Sequence, residues 1–367
     1  MALTDWVYPL LRCPVCGGEL EFRSLDSSKT QGLLEHGGPG CEELYPVIDG
    51  VPRMLVDTAR ADLVRARRDW FDARPETASL AQRWGAGIAP DPVIAGFDDE
   101  WDRFREVGTA DQSQVFDLYF DLVPTTWFAP GLTVLDAGSG AGRWAYEVSQ
   151  RGPRVIALDL GRSIEVTRAN TSPERVACVQ ADLRALPLAA DAVDWAYSLG
   201  VLHHTEAPEV GLANLVASVR PDGLVLLYLY YALDQRGPLF RGVFLAVDLA
   251  RRVISRQPRA AARTIATVIA AWIYWPLARG GAVLERAGAP GLAAKLPLSF
   301  YRHLSFATMR NDSLDRFGTR LERRFTRAQT QELMRGAGLV EVCISDSPPY
   351  WHGVGSKGRV RNTDHGF

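Results

Sequence analysis

The chain predicts an α/β fold: a seven-stranded sheet with helices on both faces, a small N-terminal β-rich module and a helical insertion after the fifth strand. Three observations carry this. The run Thr133-Val-Leu-Asp-Ala-Gly-Ser-Gly-Ala-Gly-Arg143 passes from apolar, partly β-branched residues to an acid and three spaced glycines. That order is a buried strand, a tight turn and a helix start. Strand and helix patterns then alternate with short links as far as Tyr230, as in a parallel sheet covered on both faces. Well before the sheet, Cys13-Pro-Val-Cys16-Gly-Gly18 forms a C-x-x-C knuckle.

The bulk numbers are those of an ordinary globular protein: 367 residues, 47% hydrophobic, 23% charged, net charge −2. They give no global pull toward nucleic acid. The charge is uneven, with 18 Arg/Lys against 6 Asp/Glu over 236–335. Such an excess suits a phosphate, an acidic substrate or a lipid surface, or simply marks solvated helix faces. Residues 1–11 lack the layout of a secretory leader. The longest apolar run, Thr264 to Ala278, lies between Arg263 and Arg279 and falls short of the roughly 20 residues a membrane span needs. Five cysteines in a chain this long make no disulfide framework. Cys178 and Cys343, in strand-like runs, are expected to be core thiols. A cytoplasmic location is the default expectation.

The first unit, 1–57, holds the knuckle. A closed zinc site needs four ligands. Cys13 and Cys16 supply two and Cys41 a third; His36 is the nearest fourth, with Glu42 and Glu43 weaker. Tyr45 to Leu55 then predicts strand, turn at Asp49-Gly50 and strand. A bridging segment, 58–130, is rich in charges and aromatics. Val115 to Val123 has helical spacing, and Gly85 to Gly96, with Pro90 and Pro92, is a loop. Its aromatics either cover the sheet as core or, through Trp84, Phe97, Trp101 and Phe104, line an entrance to a ligand site.

The third unit, 131–233, carries the acids. Asp136 ends the first strand, Asp159 the second (Arg154 to Asp159), and Asp182 follows the third (Val176 to Ala181). The fourth strand runs over Val193–Gly200 and the fifth over Leu224–Tyr230. Ligands bind such sheets at the carboxyl ends of the strands. Asp159 lies 21 positions after Gly138, where an acid takes ribose hydroxyls. Arg143 stands where a dinucleotide fingerprint has its third glycine. Asp136 would repel a pyrophosphate but suits a cationic ligand that carries an amino acid.

On Val134-Leu-Asp-Ala-Gly-Ser-Gly-Ala-Gly142, Val155-Ile-Ala-Leu-Asp159, Gln180-Ala-Asp-Leu183, Ser198-Leu-Gly-Val-Leu-His-His204 and Val219-Arg-Pro-Asp-Gly223, the region resembles a class I S-adenosylmethionine-dependent methyltransferase of the type 11 kind, with its Rossmann-like sheet. The resemblance implies S-adenosylmethionine as cofactor. Asp136, Gly138 and Gly140 would lie at its methionine part, Asp159 at the ribose hydroxyls and Leu160 at the adenine. Asp182 and Leu183 would meet the adenine edge, and Ser198 the sulfonium. The segment from Leu11 to Val56 resembles the zinc-ribbon-like module found beside many methyltransferases, known also as a separate methyltransferase activator. It departs from that pattern at Gly38, where the module has a cysteine.

Methyl transfer is an in-line displacement, so the protein mainly positions the acceptor. Where the acceptor keeps its proton, His203 and His204 are candidate bases; otherwise they shape the loop. Tyr228, Tyr230, Tyr231 and His303 are further candidates. The insertion, 234–323, mixes arginines with Trp272-Ile-Tyr-Trp-Pro276. It suits a small-molecule, sugar or lipid-linked acceptor, phosphorylated or not, and peripheral membrane contact through 236–280; alternatively it is a cap for a homodimer. The last unit, 324–367, is expected to be a helix capped by Thr326 and a hairpin of Leu339–Ser345 and His352–Lys357, with Tyr350-Trp351 toward the pocket. An RNA base methyltransferase and a non-catalytic cofactor-binding scaffold are the competing functions.

Overall fold

The computed structural model describes residues 5–37, 40–86, 106–232, 238–318 and 321–359. Four strands come first: β1 (Leu20–Ser24), β2 (Gly32–His36), β3 (Leu44–Ile48) and β4 (Val51–Met54). The alternating region supplies β5 (Thr133–Ala137), β6 (Arg154–Asp159), β7 (Val176–Ala181), β8 (Val193–Leu199) and β9 (Val219–Tyr228). β10 (Leu339–Ile344) and β11 (His352–Lys357) close the series. Their order in space is β1-β2-β3-β4-β7-β6-β5-β8-β9-β11-β10. β7-β6-β5-β8-β9 is parallel and β11 and β10 are antiparallel to their neighbours. β7 is buried at every position, as a strand covered on both faces demands.

The sheet departs from the expected seven strands: among the described residues it has 11. The N-terminal strands are continuous with the main sheet through β4. Arg53 and Met54 of β4 pair in parallel with Gln180 and Ala181 of β7, which removes an open edge. Arg53 is 1% exposed. It bonds Gln180 Oε1 at 3.0 Å and ion-pairs with Glu165 of helix Ser163–Asn170, the partners a buried guanidinium requires.

Trp84 ends helix Ala78–Gly85 and packs on Tyr45, ring centres 6.3 Å apart. It belongs to the core under the N-terminal strands, not to an entrance over the site; Phe97, Trp101 and Phe104 lie outside the described residues. Helix Ala110–Tyr119 starts five residues before the spacing of Val115 predicts, because Thr109 and Gln112 make a capping box ahead of it. Phe116 and Phe120 pack with Trp144, Trp195 and Tyr197 on the sheet. Thr326 caps helix Arg327–Gly336 as expected. Cys178 is buried but Cys343 is exposed. The register of β10 slips between Val340 and Cys343, which turns the thiol off the core face. Trp351 is fully buried and so belongs to the core, not the pocket.

The insertion contains helices Pro238–Ile254, Pro290–Lys295 and Phe306–Gly318 around one continuous helix, Arg259–Arg286, of 28 residues. It exceeds the length the apolar run implies. A π turn at Ala270–Tyr274 precedes Pro276 and absorbs the backbone contact that the proline ring would otherwise break. Among the described residues this helix is long and apolar enough to cross a membrane.

Candidate functional site

The glycine turn follows β5 and is anchored on β6. The N–H groups of Gly138 and Ser139 both donate to the Leu158 carbonyl, at 2.8 and 3.0 Å. The Gly140 N–H donates to Asp159 Oδ2 at 2.9 Å. Asp159 Oδ1 accepts from the Gly161 N–H at 3.0 Å and the Ser163 hydroxyl at 2.8 Å. Burial pushes the Asp159 carboxyl up, and these donors oppose it. The second acid therefore ties the first two loops of the site together.

Asp136, at the end of β5, is 1% exposed, and its Oδ2 has no hydrogen-bond partner among the described residues. Burial pushes its carboxyl up to about 8. An orphaned carboxylate oxygen beside a glycine turn is a vacant acceptor for a cationic donor. An α-ammonium group fits it, and S-adenosylmethionine carries one. Leu160 is half-buried and Leu183 buried; Gln180 Nε2 donates to the Leu160 carbonyl at 3.0 Å and shapes that loop. Asp182 caps the turn Leu183–Ala185, and the Arg184 guanidinium grips both its oxygens, with a shortest contact of 2.6 Å. Ser198 is fully buried and donates to the Ala137 carbonyl at 2.9 Å. Its hydroxyl thus joins the ends of β8 and β5.

Past β8, His203 and His204 join a cluster of tyrosine and aspartate side chains. His203 is fully buried, stacks on Tyr230 with ring centres 3.9 Å apart, and has no partner for either ring nitrogen among the described residues. Burial pushes its pKa well below the usual histidine value, so the ring is neutral. His204 Nδ1 lies 2.7 Å from the Leu321 carbonyl. A carbonyl only accepts, so Nδ1 carries a proton and Nε2 is the ring nitrogen left for other partners. Nε2 faces Asp315 Oδ1 at 3.8 Å, and Asp315 Oδ2 accepts from the Tyr230 hydroxyl.

Asp315 comes from the insertion helix Phe306–Gly318. So does Asp312, whose carboxyl is pushed up by burial and opposed by Arg143 and the Tyr301 hydroxyl. Arg143 acts in the same sense on Asp136, so one guanidinium is shared between the turn and the cleft. Tyr119 and Tyr228 complete the lining, ring centres 4.9 Å apart. Asp312 and Asp315 carried no weight in the sequence, although they are two of the few acids in a basic segment, spaced i, i+3. Tyr231 packs on Tyr350 instead, and His303 pairs with Glu285 at 2.7 Å, apart from this cluster.

At the N-terminal strands, Cys13, Cys16, His36 and Cys41 converge, with their ligand atoms all within 4.8 Å of one another. Cys16 Sγ lies 3.7 Å from His36 Nε2. Zinc–sulfur bonds of about 2.3 Å at tetrahedral angles place neighbouring ligand atoms about 3.7 Å apart. Three thiols and an imidazole thus fit a four-coordinate zinc. Although burial opposes it, hydrogen bonds from the Tyr45 hydroxyl and the local backbone lower the Cys13 thiol to about 7. Of the open choices for a fourth ligand, His36 is the one brought into place.

Residues 135–227 match the family model described as Methyltransferase domain. An uncharacterised methyltransferase of Mycobacterium leprae is 34% identical over 110 residues, 29% of this chain and 41% of that protein. The malonyl-[acyl-carrier protein] O-methyltransferase of Pectobacterium atrosepticum is 33% identical over 96 residues, 26% of this chain and 37% of that one. The chain thus spans about two fifths of the length of these curated relatives. Among solved structures, similarity is found to a complex between the Haloferax volcanii Trm112 methyltransferase activator and a putative methyltransferase (13% identity, 74% of this chain, 100% of that one, TM-score 0.40). An S-adenosylmethionine-dependent methyltransferase from Mesorhizobium loti is also similar (25% identity, 34% of this chain, 54% of that one, TM-score 0.29). What the sequence relatives share with this chain is a methyltransferase domain, and residues 135–227 carry it.

Proposed function

We propose that the protein transfers the methyl group of S-adenosylmethionine to an oxygen or nitrogen of a small-molecule, sugar or lipid-linked acceptor held in the cleft of His204, Tyr230 and Asp315. The observation that carries this is the placement of His204, with Nδ1 on the Leu321 carbonyl and Nε2 3.8 Å from Asp315 Oδ1, three residues past Gly138's neighbour Val201. When bound, the cofactor supplies an electrophilic methyl on a good leaving group. Asp136 takes its ammonium group, Asp159 its ribose hydroxyls, and Leu160 and Leu183 flank its base. His204 Nε2 accepts the acceptor's proton, and Asp315 stabilises the imidazolium that forms. The half-buried tyrosines orient the acceptor and exclude water. Cys13, Cys16, His36 and Cys41 hold a structural zinc.

Carboxylates, tyrosines and the guanidinium groups of Arg316 and Arg324 share this cluster, which suits a small hydroxyl- or amine-bearing acceptor. The test is mass spectrometry of nucleotide-sugar, lipid and RNA extracts incubated with the protein and labelled cofactor. Label in a sugar or lipid fraction is expected. Label confined to RNA, or none in any fraction, would overturn the proposal.

A further inference from the structure

The continuous helix Arg259–Arg286 has two faces with different surroundings. Ala262, Ala266, Ala270, Tyr274 and Ala278 are buried. They face the helix that carries Asp312 and Asp315, and Ser313 of that helix donates to the Ala266 carbonyl at 2.8 Å. Ala261, Ile265, Val268 and Trp272 recur at i, i+4, i+7 and i+11 and are all exposed, a spacing that puts them on one stripe. Trp272 is 79% exposed and Val268 51%. Past the π turn, Trp275, Pro276 and Val283 are exposed too, Val283 at 60%. On the preceding helix, Leu249 and Val253 are 64% and 55% exposed. An apolar surface of this extent needs an occupant.

Charge selects the occupant. From Ser255 to Leu284 the chain holds four arginines and no carboxylate. Arg252, Arg256 and Arg259 are exposed at the start of the stripe, and Arg286 at its end. Tryptophans on an apolar stripe with arginines at its ends match the layers of a bilayer surface: acyl boundary, carbonyl region and anionic headgroups. A crossing helix would expose its apolar surface all round, whereas this one has a face packed on protein.

We propose that this stripe docks on the surface of an anionic lipid bilayer, with the helix lying in the interface. The stripe and the acceptor cleft are opposite faces of one element: Tyr274 looks inward, ring centre 5.4 Å from Tyr301, while Trp272 looks out. Docking would therefore bring a membrane-embedded acceptor to the cleft, but it stands independently of the methyl-transfer proposal.

The experiment is co-sedimentation of the full chain with vesicles of equimolar phosphatidylcholine and phosphatidylglycerol, beside vesicles of phosphatidylcholine alone. The wild type is expected in the pellet with the anionic vesicles only, and to leave it in high salt. Trp272→Glu, checked for native circular dichroism, is expected to lower the partition coefficient at least about tenfold, and Arg256→Ala a few-fold. Equal sedimentation of wild type and Trp272→Glu would overturn the proposal, as would no binding by the wild type. Bound protein that resists both salt and alkaline extraction would replace docking by a spanning helix. A dimer in light scattering that Trp272→Glu dissociates would assign the stripe to a second copy instead. Loss of lipid binding with methyl transfer to a soluble acceptor intact would separate this surface from the active site.

Discussion

The side chain of Val201 occupies the space that a Cβ on Gly138 would need: its Cγ2 would lie 2.3 Å from that atom. Gly138 also has φ +92°, in the left-handed region that other residues avoid. The glycine turn after β5 and the histidine loop after β8 therefore pack as one piece. Gly138→Ala adds a left-handed backbone cost of about 1–2 kcal/mol to an overpacking cost of about 1–3 kcal/mol. Thermal melts should show the loss of stability, and calorimetry at least about a tenfold weaker S-adenosylmethionine affinity. A variant that binds as tightly as wild type would disprove the placement of the turn under the ligand.

Asp136 should make both stability and cofactor binding depend on pH. Its folded pKa, about 8, exceeds the unfolded value of about 3.9. The folded state therefore holds the extra proton between these values, and this contribution to stability falls as pH rises from about 4 to about 8. A cationic ligand at the same oxygen favours the carboxylate and expels the proton. Calorimetry at pH 7 in buffers of different ionisation enthalpy should thus detect proton release on binding S-adenosylmethionine. Asp136→Asn should abolish the release; a proton count unchanged in that variant would refute the assignment.

His204→Gln should remove the proton acceptor and lower kcat by about 10²–10³ once an acceptor is in hand, with KM little altered. His203→Gln should act differently, since that ring stacks on Tyr230 and faces no acceptor. It should cost stability with kcat retained. Equal kcat for wild type and His204→Gln would leave the histidine as a shaping residue.

The cluster at the N-terminal strands should bind zinc in proportion to protein. Cys13→Ser and His36→Ala should each reduce zinc content in elemental analysis, and chelator should lower the Tm of the wild type. Zinc retained in full by His36→Ala would show that another group supplies the fourth ligand.

Arg53 joins the N-terminal strands to the rest of the sheet. Arg53→Ala leaves Gln180 without this partner and opens a cavity at the β4–β7 junction. The expected cost is about 3 kcal/mol in denaturant unfolding. Because Arg67 is partly exposed and Arg53 still pairs with Glu165 in its absence, Arg67→Ala alone should cost less than about 1 kcal/mol. Equal effects of the two would show that the buried position of Arg53 carries no special weight.

Much of the site was legible in local pattern. The strand ending in Asp136, the spaced glycines, and the acids at 159 and 182 stand in the sequence at distances that one strand–turn–helix unit dictates, because strand length and turn geometry are short-range properties. The two histidines after β8 were legible for the same reason. Asp312 and Asp315 were not. Asp315 meets His204 and Tyr230 only through the packing of a helix more than 80 residues further along.

The amino-acid sequence by itself determined the alternation of strands and helices, the ligand end of the sheet and the cysteine knuckle. Each follows from periodicity, β-branching and turn residues within about a dozen positions. Tertiary structure alone decided the rest. His36 became the fourth member of the cysteine cluster because β2 carries it there. The N-terminal strands joined the main sheet because the edge of β7 was available and Arg53 found Gln180 and Glu165. The apolar helix ran to 28 residues because a π turn let it pass Pro276. The pairing of distant segments depends on which surfaces bury one another, and no local spacing records it. The same holds for Gly138: the glycine could be read as a turn, but its need to be a glycine became visible only against Val201.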